Sequence, residues 1–142
     1  MRRSASRQVA MLAFLLLALT VNASFESGSL KSSEWKSPTH LVATVRGQAD
    51  AAGRNYQPSW FYFSIDGFND PAVNGKEITV DLAGFEGEYN FRPHDGRAHR
   101  NVHPAYSYDN LHWRTFETTG WLDNPARIRV KFQPRGERIW IA

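Results

Sequence analysis

Between Ala126 and Gln133 the chain reads ARIRVKFQ, and Ile128, Val130 and Phe132 alternate with Arg127, Arg129 and Lys131. A period of two sends apolar side chains to one face of an extended strand and cations to the other, which describes a half-buried antiparallel strand. The same habit recurs in HLVATVRG (His40 to Gly47), WFYFSID (Trp60 to Asp66), KEITVDL (Lys76 to Leu82) and the closing ERIWIA, all rich in β-branched and aromatic residues. Turn chemistry separates these runs at short intervals, in DAAG, DGFNDPAVNG, RPHDGR, DNPA and QPRG. No stretch carries an apolar stripe of helical period over three turns. The pattern predicts an all-β chain folded as an antiparallel two-sheet β-sandwich, in a single domain.

The first residues follow another rule. MRRSASRQVAMLAFLLLALTVNA has a basic start (Arg2, Arg3, Arg7), an apolar run from Val9 to Val21, and small residues at the exit. That order predicts a secretory signal peptide over residues 1–23, followed by a folded domain over 24–142. The run is shorter than the roughly 20 residues that cross a bilayer, so no membrane span is expected after cleavage. The protein is then exported, to the periplasm or the extracellular space.

Removing residues 1–23 from the 142 leaves 119, and it also removes three arginines and no acid. The whole-chain excess of 17 basic over 14 acidic residues therefore becomes 14 against 14. Phosphate binding needs a basic excess, so nucleic acid is excluded as a partner. The sequence has no cysteine, which leaves packing to stabilise an exported domain and rules out disulfides, thiolate metal sites and cysteine nucleophiles.

The densest cluster of functional side-chain types is AYSYDNLHWRTF, residues 105–116. Asp109 and Asn110 suit a tight hairpin turn, and Ser107 can add a local side-chain bond. Tyr106 and Tyr108 share one face of the incoming arm, and Leu111, Trp113 and Thr115 share one face of the outgoing arm. Two readings remain open: a hairpin whose rings fill a core, or an exposed platform of Tyr and Trp that stacks on sugars. A catalytic role for Asp109 lacks an identifiable partner carboxylate.

His94, His99 and His103 lie in RPHDGRAHRNVHP, where Pro93, Gly96 and Pro104 break any helix. Their spacing does not align imidazoles on one helix turn, so a solvated polar loop is expected rather than a zinc site. No nucleophile elbow, phosphate-cradling loop or His-Glu-x-x-His motif is present. Asp66, Asp70, Asp81, Glu86 and Glu88 are expected in or beside turns. The cations Arg127, Arg129 and Lys131 read as a solvated or interface surface.

Four segments in order carry a resemblance: SFESGSL, SWFYFSIDG, AYSYDNLHW and RIWIA. Together they resemble the N-terminal β-sandwich domain of zinc carboxypeptidases of the cytosolic-carboxypeptidase type. The signature residues are Trp60, Phe61, Tyr62 and Phe63 on one strand, with Tyr106, Ser107, Tyr108, Asp109 and Trp113 on the hairpin, all in structural roles. The resemblance implies that zinc and every catalytic residue lie in a downstream domain, so this chain holds no catalytic, cofactor or metal residue. It implies an accessory domain whose partner is a catalytic peptidase domain in cis or trans. The chain is then a fragment of a longer exported peptidase or a sandwich left standing alone. A stand-alone secreted carbohydrate-binding module, with a polysaccharide rather than a peptide as ligand, is the alternative.

Overall fold

The structure, a computed structural model, describes residues 18–142. Most of the leader predicted over residues 1–23 lies outside the described residues. Two five-stranded sheets face each other across one core. The first runs β1 (Thr20–Asn22), β6 (Phe63–Asp66), β14 (Arg138–Ile141), β10 (Ala105–Ser107) and β11 (Arg114–Thr115). The second runs β12 (Thr118–Leu122), β13 (Arg127–Phe132), β7 (Ile78–Ala83), β3 (His40–Thr44) and β2 (Ser32–Ser37). Two short ribbons, β4 (Arg46–Gln48) with β5 (Gln57–Trp60) and β8 (Gly87–Tyr89) with β9 (Arg92–His94), flank them. Helical structure among the described residues is one 3-10 turn, Arg97–His99.

The alternation in the sequence sets the faces. On β13, Ile128 and Val130 are buried, and on β7 the buried apolar residues are Ile78, Val80 and Leu82. They meet Phe63, Ile65, Ile139 and Ile141 of the first sheet in a single cluster. Rings close one end, with Phe132 lying 6.0 Å from Phe68 and 5.3 Å from Phe116. One pairing departs from the antiparallel expectation: β3 and β7 run parallel, with Leu41 opposite Val80. The chain between them passes through β4, β5 and β6, and a crossover of that length is what a parallel pair requires.

The fold also begins earlier than residue 24. β1 pairs antiparallel with β6, Val21 opposite Ile65 and Asn22 opposite Ser64. Leu19 is 4% exposed, while Ala18, Val21 and Ala23 pack against the core. Two glycines fit the chain around this segment. A Cβ on Gly28 would lie 2.2 Å from the Ala23 carbonyl oxygen, and one on Gly67, at φ +107°, would lie 2.4 Å from that of Ala18. LTVN is thus apolar enough to end a leader and alternates well enough to make an edge strand. Cleavage after Ala23 removes β1.

Candidate functional site

WFYF is not one strand, because Trp60 ends β5, which pairs with β4, and Phe63 begins β6 of the first sheet, yet the period of two still sorts its rings. Phe61 and Phe63 point into the core, whereas Trp60 and Tyr62 point outward, and Trp60 is 50% exposed. The outer face of the first sheet continues as a register row of Asn22, Ser64, Trp140 and Ser107. Ser64 is one of two serines in that row and is only 2% exposed. It makes the floor of a shallow groove walled by Phe25, Tyr62, Asn110 and Trp140.

The rings touch edge to face or tilted. Phe25 and Tyr62 are 4.9 Å apart at 81°, Trp60 and Tyr62 6.4 Å at 67°, and Tyr62 and Trp113 6.0 Å at 59°. Arg138 lies over the Trp140 ring at 5.5 Å and is ion-paired with Asp66. Sugar stacking needs near-coplanar exposed faces, and these angles do not provide them.

The AYSYDNLHW segment is only partly the expected hairpin. Its arms pair as Ala105 with Thr115 and Tyr106 with Arg114, so residues 108–113 form a loop rather than a two-residue turn. Tyr106 and Tyr108 share the core side, as their spacing predicts, while Leu111 and Trp113 fall in the loop and stay 78% and 38% exposed. Asp109 holds this loop. Its Oδ1 accepts from the Leu111 and His112 amides at 2.9 and 2.8 Å and from the Ser107 hydroxyl at 2.9 Å, and its Oδ2 meets His112 Nδ1 at 2.6 Å. Those bonds, the His112 amide foremost, hold its carboxyl far below the usual carboxylate range. Ser107 gives its proton to Asp109 and not to an imidazole, so the trio is a loop brace without an activated nucleophile. Asn110, at φ +60°, accepts the Tyr62 hydroxyl proton and joins the loop to the aromatic face.

Two clusters escaped the sequence reading. Asp81 sits in the middle of β7, not beside a turn, and is 2% exposed on the outer face of the second sheet. Arg129 grips it through Nε and Nη2 at 2.7 and 2.8 Å, His40 Nε2 lies 2.9 Å away, and Arg127 Nε 3.4 Å. Burial alone would raise its pKa, but the bonds from Arg129 and His40 outweigh that and hold it low. Arg127 and Arg129 are therefore committed internally and not a free basic surface. The available signal was an acid at the outward position of one alternating strand with two cations outward on another.

The histidine loop is likewise more packed than a solvated loop. His99 stacks on Phe85 at 4.7 Å and 24°, and His94 lies 6.2 Å from His99 at 29°. His94 Nδ1 accepts from the Gly96 amide, and its Nε2 is buried without a partner. Burial pushes the pKa of His99 down. His103 is exposed and stands apart. Among the described residues no three His, Cys, Asp or Glu side chains are grouped to hold a metal ion.

The family described as the cytosolic carboxypeptidase N-terminal domain matches residues 21–142. No curated protein matches. Among solved structures, the metallo-carboxypeptidase of Burkholderia cenocepacia superposes with a TM-score of 0.62 at 20% identity, over 87% of this chain and 28% of its own. The metallo-carboxypeptidase of Pseudomonas aeruginosa, solved with (2-guanidinoethylmercapto)succinic acid, gives 0.59 at 15% identity, over 86% and 28%. At such identities the likeness establishes the fold. The chain spans less than a third of either protein.

Proposed function

This chain belongs to the family of cytosolic carboxypeptidase N-terminal domains, and on that premise we propose that it is a non-catalytic accessory β-sandwich of an exported zinc metallocarboxypeptidase. It packs on a catalytic peptidase domain, in cis or trans, and guides peptide C termini to it. One observation carries the proposal: a family match over residues 21–142 in a chain that spans 28% of the metallo-carboxypeptidases it superposes on. The polar clusters agree, because Asp81 and Asp109 are saturated by structural partners. The described residues offer no ligand set for zinc, which this reading assigns to the peptidase domain. Export rests on the basic, apolar leader, and the pairing of β1 with β6 favours a processing point upstream of Leu19 over one after Ala23.

The test uses the full chain, assayed for bound zinc by elemental analysis and for release of C-terminal amino acids from peptides. Neither is expected. Stoichiometric zinc together with release refutes the proposal.

A further inference from the structure

We infer that the aromatic patch bordering the outer face of the first sheet, made by Trp60 at the end of β5, Tyr62 between β5 and β6, and Trp113 in the 108–113 loop, is the surface that receives the peptidase domain. The inference rests on the accessory reading above and adds to it the place of contact. The two outer faces of the sandwich differ in kind. That of the second sheet is polar and internally satisfied, with Asp81 held by Arg127, Arg129 and His40 and with Lys131 facing Glu77 at 3.9 Å. Bordering that of the first, Trp60 of the β4–β5 ribbon is 50% exposed, and Trp113 and Leu111 of the 108–113 loop are 38% and 78% exposed. Rings with an apolar body and a polar rim, gathered at the centre of a patch, are the anchors of protein interfaces.

The face is also pre-organised. It is assembled from segments far apart in sequence, and each is tied to the next. The Phe25 loop closes through the Gly28 amide to the Phe25 carbonyl at 2.9 Å, and Ser29 and Tyr62 exchange backbone bonds at 2.8 and 3.1 Å. Tyr62 then bonds Asn110, whose loop Asp109 holds. Binding to such a surface costs little ordering entropy.

Its chemistry selects among occupants. The Arg138 charge is cancelled by Asp66, so the patch offers no electrostatic capture of an acidic ligand. The ring angles of 59–81° disfavour stacked sugars. The groove mixes the rings of Phe25, Tyr62 and Trp140 with polar groups, Glu26 and Arg138 among them, a pattern suited to a protein surface that carries both apolar and hydrogen-bonding groups. The proteins of which this chain spans 28% carry further chain beyond the matched segment, and that remainder is the occupant this inference names. β14 lies in the middle of the same sheet and puts Trp140 on the same face.

The experiment titrates the full chain against the peptidase portion of the Burkholderia cenocepacia enzyme, produced without the segment that this chain matches. The expected result is one-to-one binding that Trp60→Ser and Trp113→Ser each weaken at least ~tenfold, as truncation of a central aromatic anchor does. Glu34→Ser, on the outer face of the second sheet, should leave binding unchanged. Circular dichroism and melting establish that each variant is folded. Equal binding by the unmodified chain and both tryptophan variants overturns the inference and leaves the accessory reading standing. No binding by the unmodified chain overturns both. Self-association in sedimentation, or retention on a polysaccharide column, that Trp60→Ser abolishes would reassign the face to a second copy or to sugar, and overturn it too.

Discussion

Shortening the protein to begin at Ser24 deletes β1, and the structure sets the size of the loss. Leu19 is 4% exposed, and Val21 packs partly buried on the same core opposite Ile65. Returning a buried Leu to water costs roughly 2–3 kcal/mol, and a half-buried Val roughly 1 kcal/mol. The deletion also leaves Phe63–Asp66 as a bare sheet edge whose backbone groups lose three residues of pairing. We expect a destabilisation of about 3–4 kcal/mol, a large share of the ~5–15 kcal/mol that holds a typical domain together. For a domain of this size that corresponds to a melting temperature roughly 10–15 °C lower. Urea unfolding of residues 18–142 against 24–142 measures it, and Leu19→Ala in the longer form should recover about half of the effect. The same midpoint and slope in both proteins would refute the reasoning. So would a stable native protein whose N-terminal residue, by mass spectrometry, is Ser24.

Three further outcomes are expected. Asp81→Ala strands Arg129 and Arg127 without their anion and should cost about 2–3 kcal/mol, below the ~3–5 of fully buried pairs because the guanidinium groups reach solvent; denaturant midpoints check it. Acidification should weaken the fold in two stages, since both His99 and Asp81 have folded pKa values below their unfolded ones. Their stabilisation is complete above the unfolded values of 6.5 and 3.8 and is lost as pH falls through the folded ones. His99→Gln should remove the upper stage alone in a series of midpoints against pH. Gly28→Ala, which puts a Cβ 2.2 Å from the Ala23 carbonyl oxygen, should destabilise by ~1–3 kcal/mol, read from melting curves, through displacement of the Phe25 loop.

What the sequence disclosed was local. Alternation alone tells that Ile128 and Val130 face inward and that Phe61 and Phe63 oppose Trp60 and Tyr62. It cannot tell whether the outward side of a strand meets water or another protein, and the rings of Tyr106 to Trp113 were therefore open to two readings. Asp81 was misplaced because its partner Arg129 is 48 residues away, and strand neighbours at that separation are chosen by the tertiary fold. The Asp109–Asn110 turn signal was sound, yet Asp109 accepts several bonds at once and stabilises a loop wider than a two-residue turn. The leader and β1 competed for the same letters, since Leu19 and Val21 satisfy both an apolar run and an alternating strand.

The position of β6 has a consequence for how the molecule is made. It lies between β1 and β14, with Ile65 opposite both Val21 and Ile139. The first sheet is thus stitched from the first and the last strands of the described residues. Until β14 arrives, one edge of β6 stays unpaired. Pairing over such sequence distances is slow, so closure of this sheet is expected late in folding, and β6 is the edge exposed to mispairing until then.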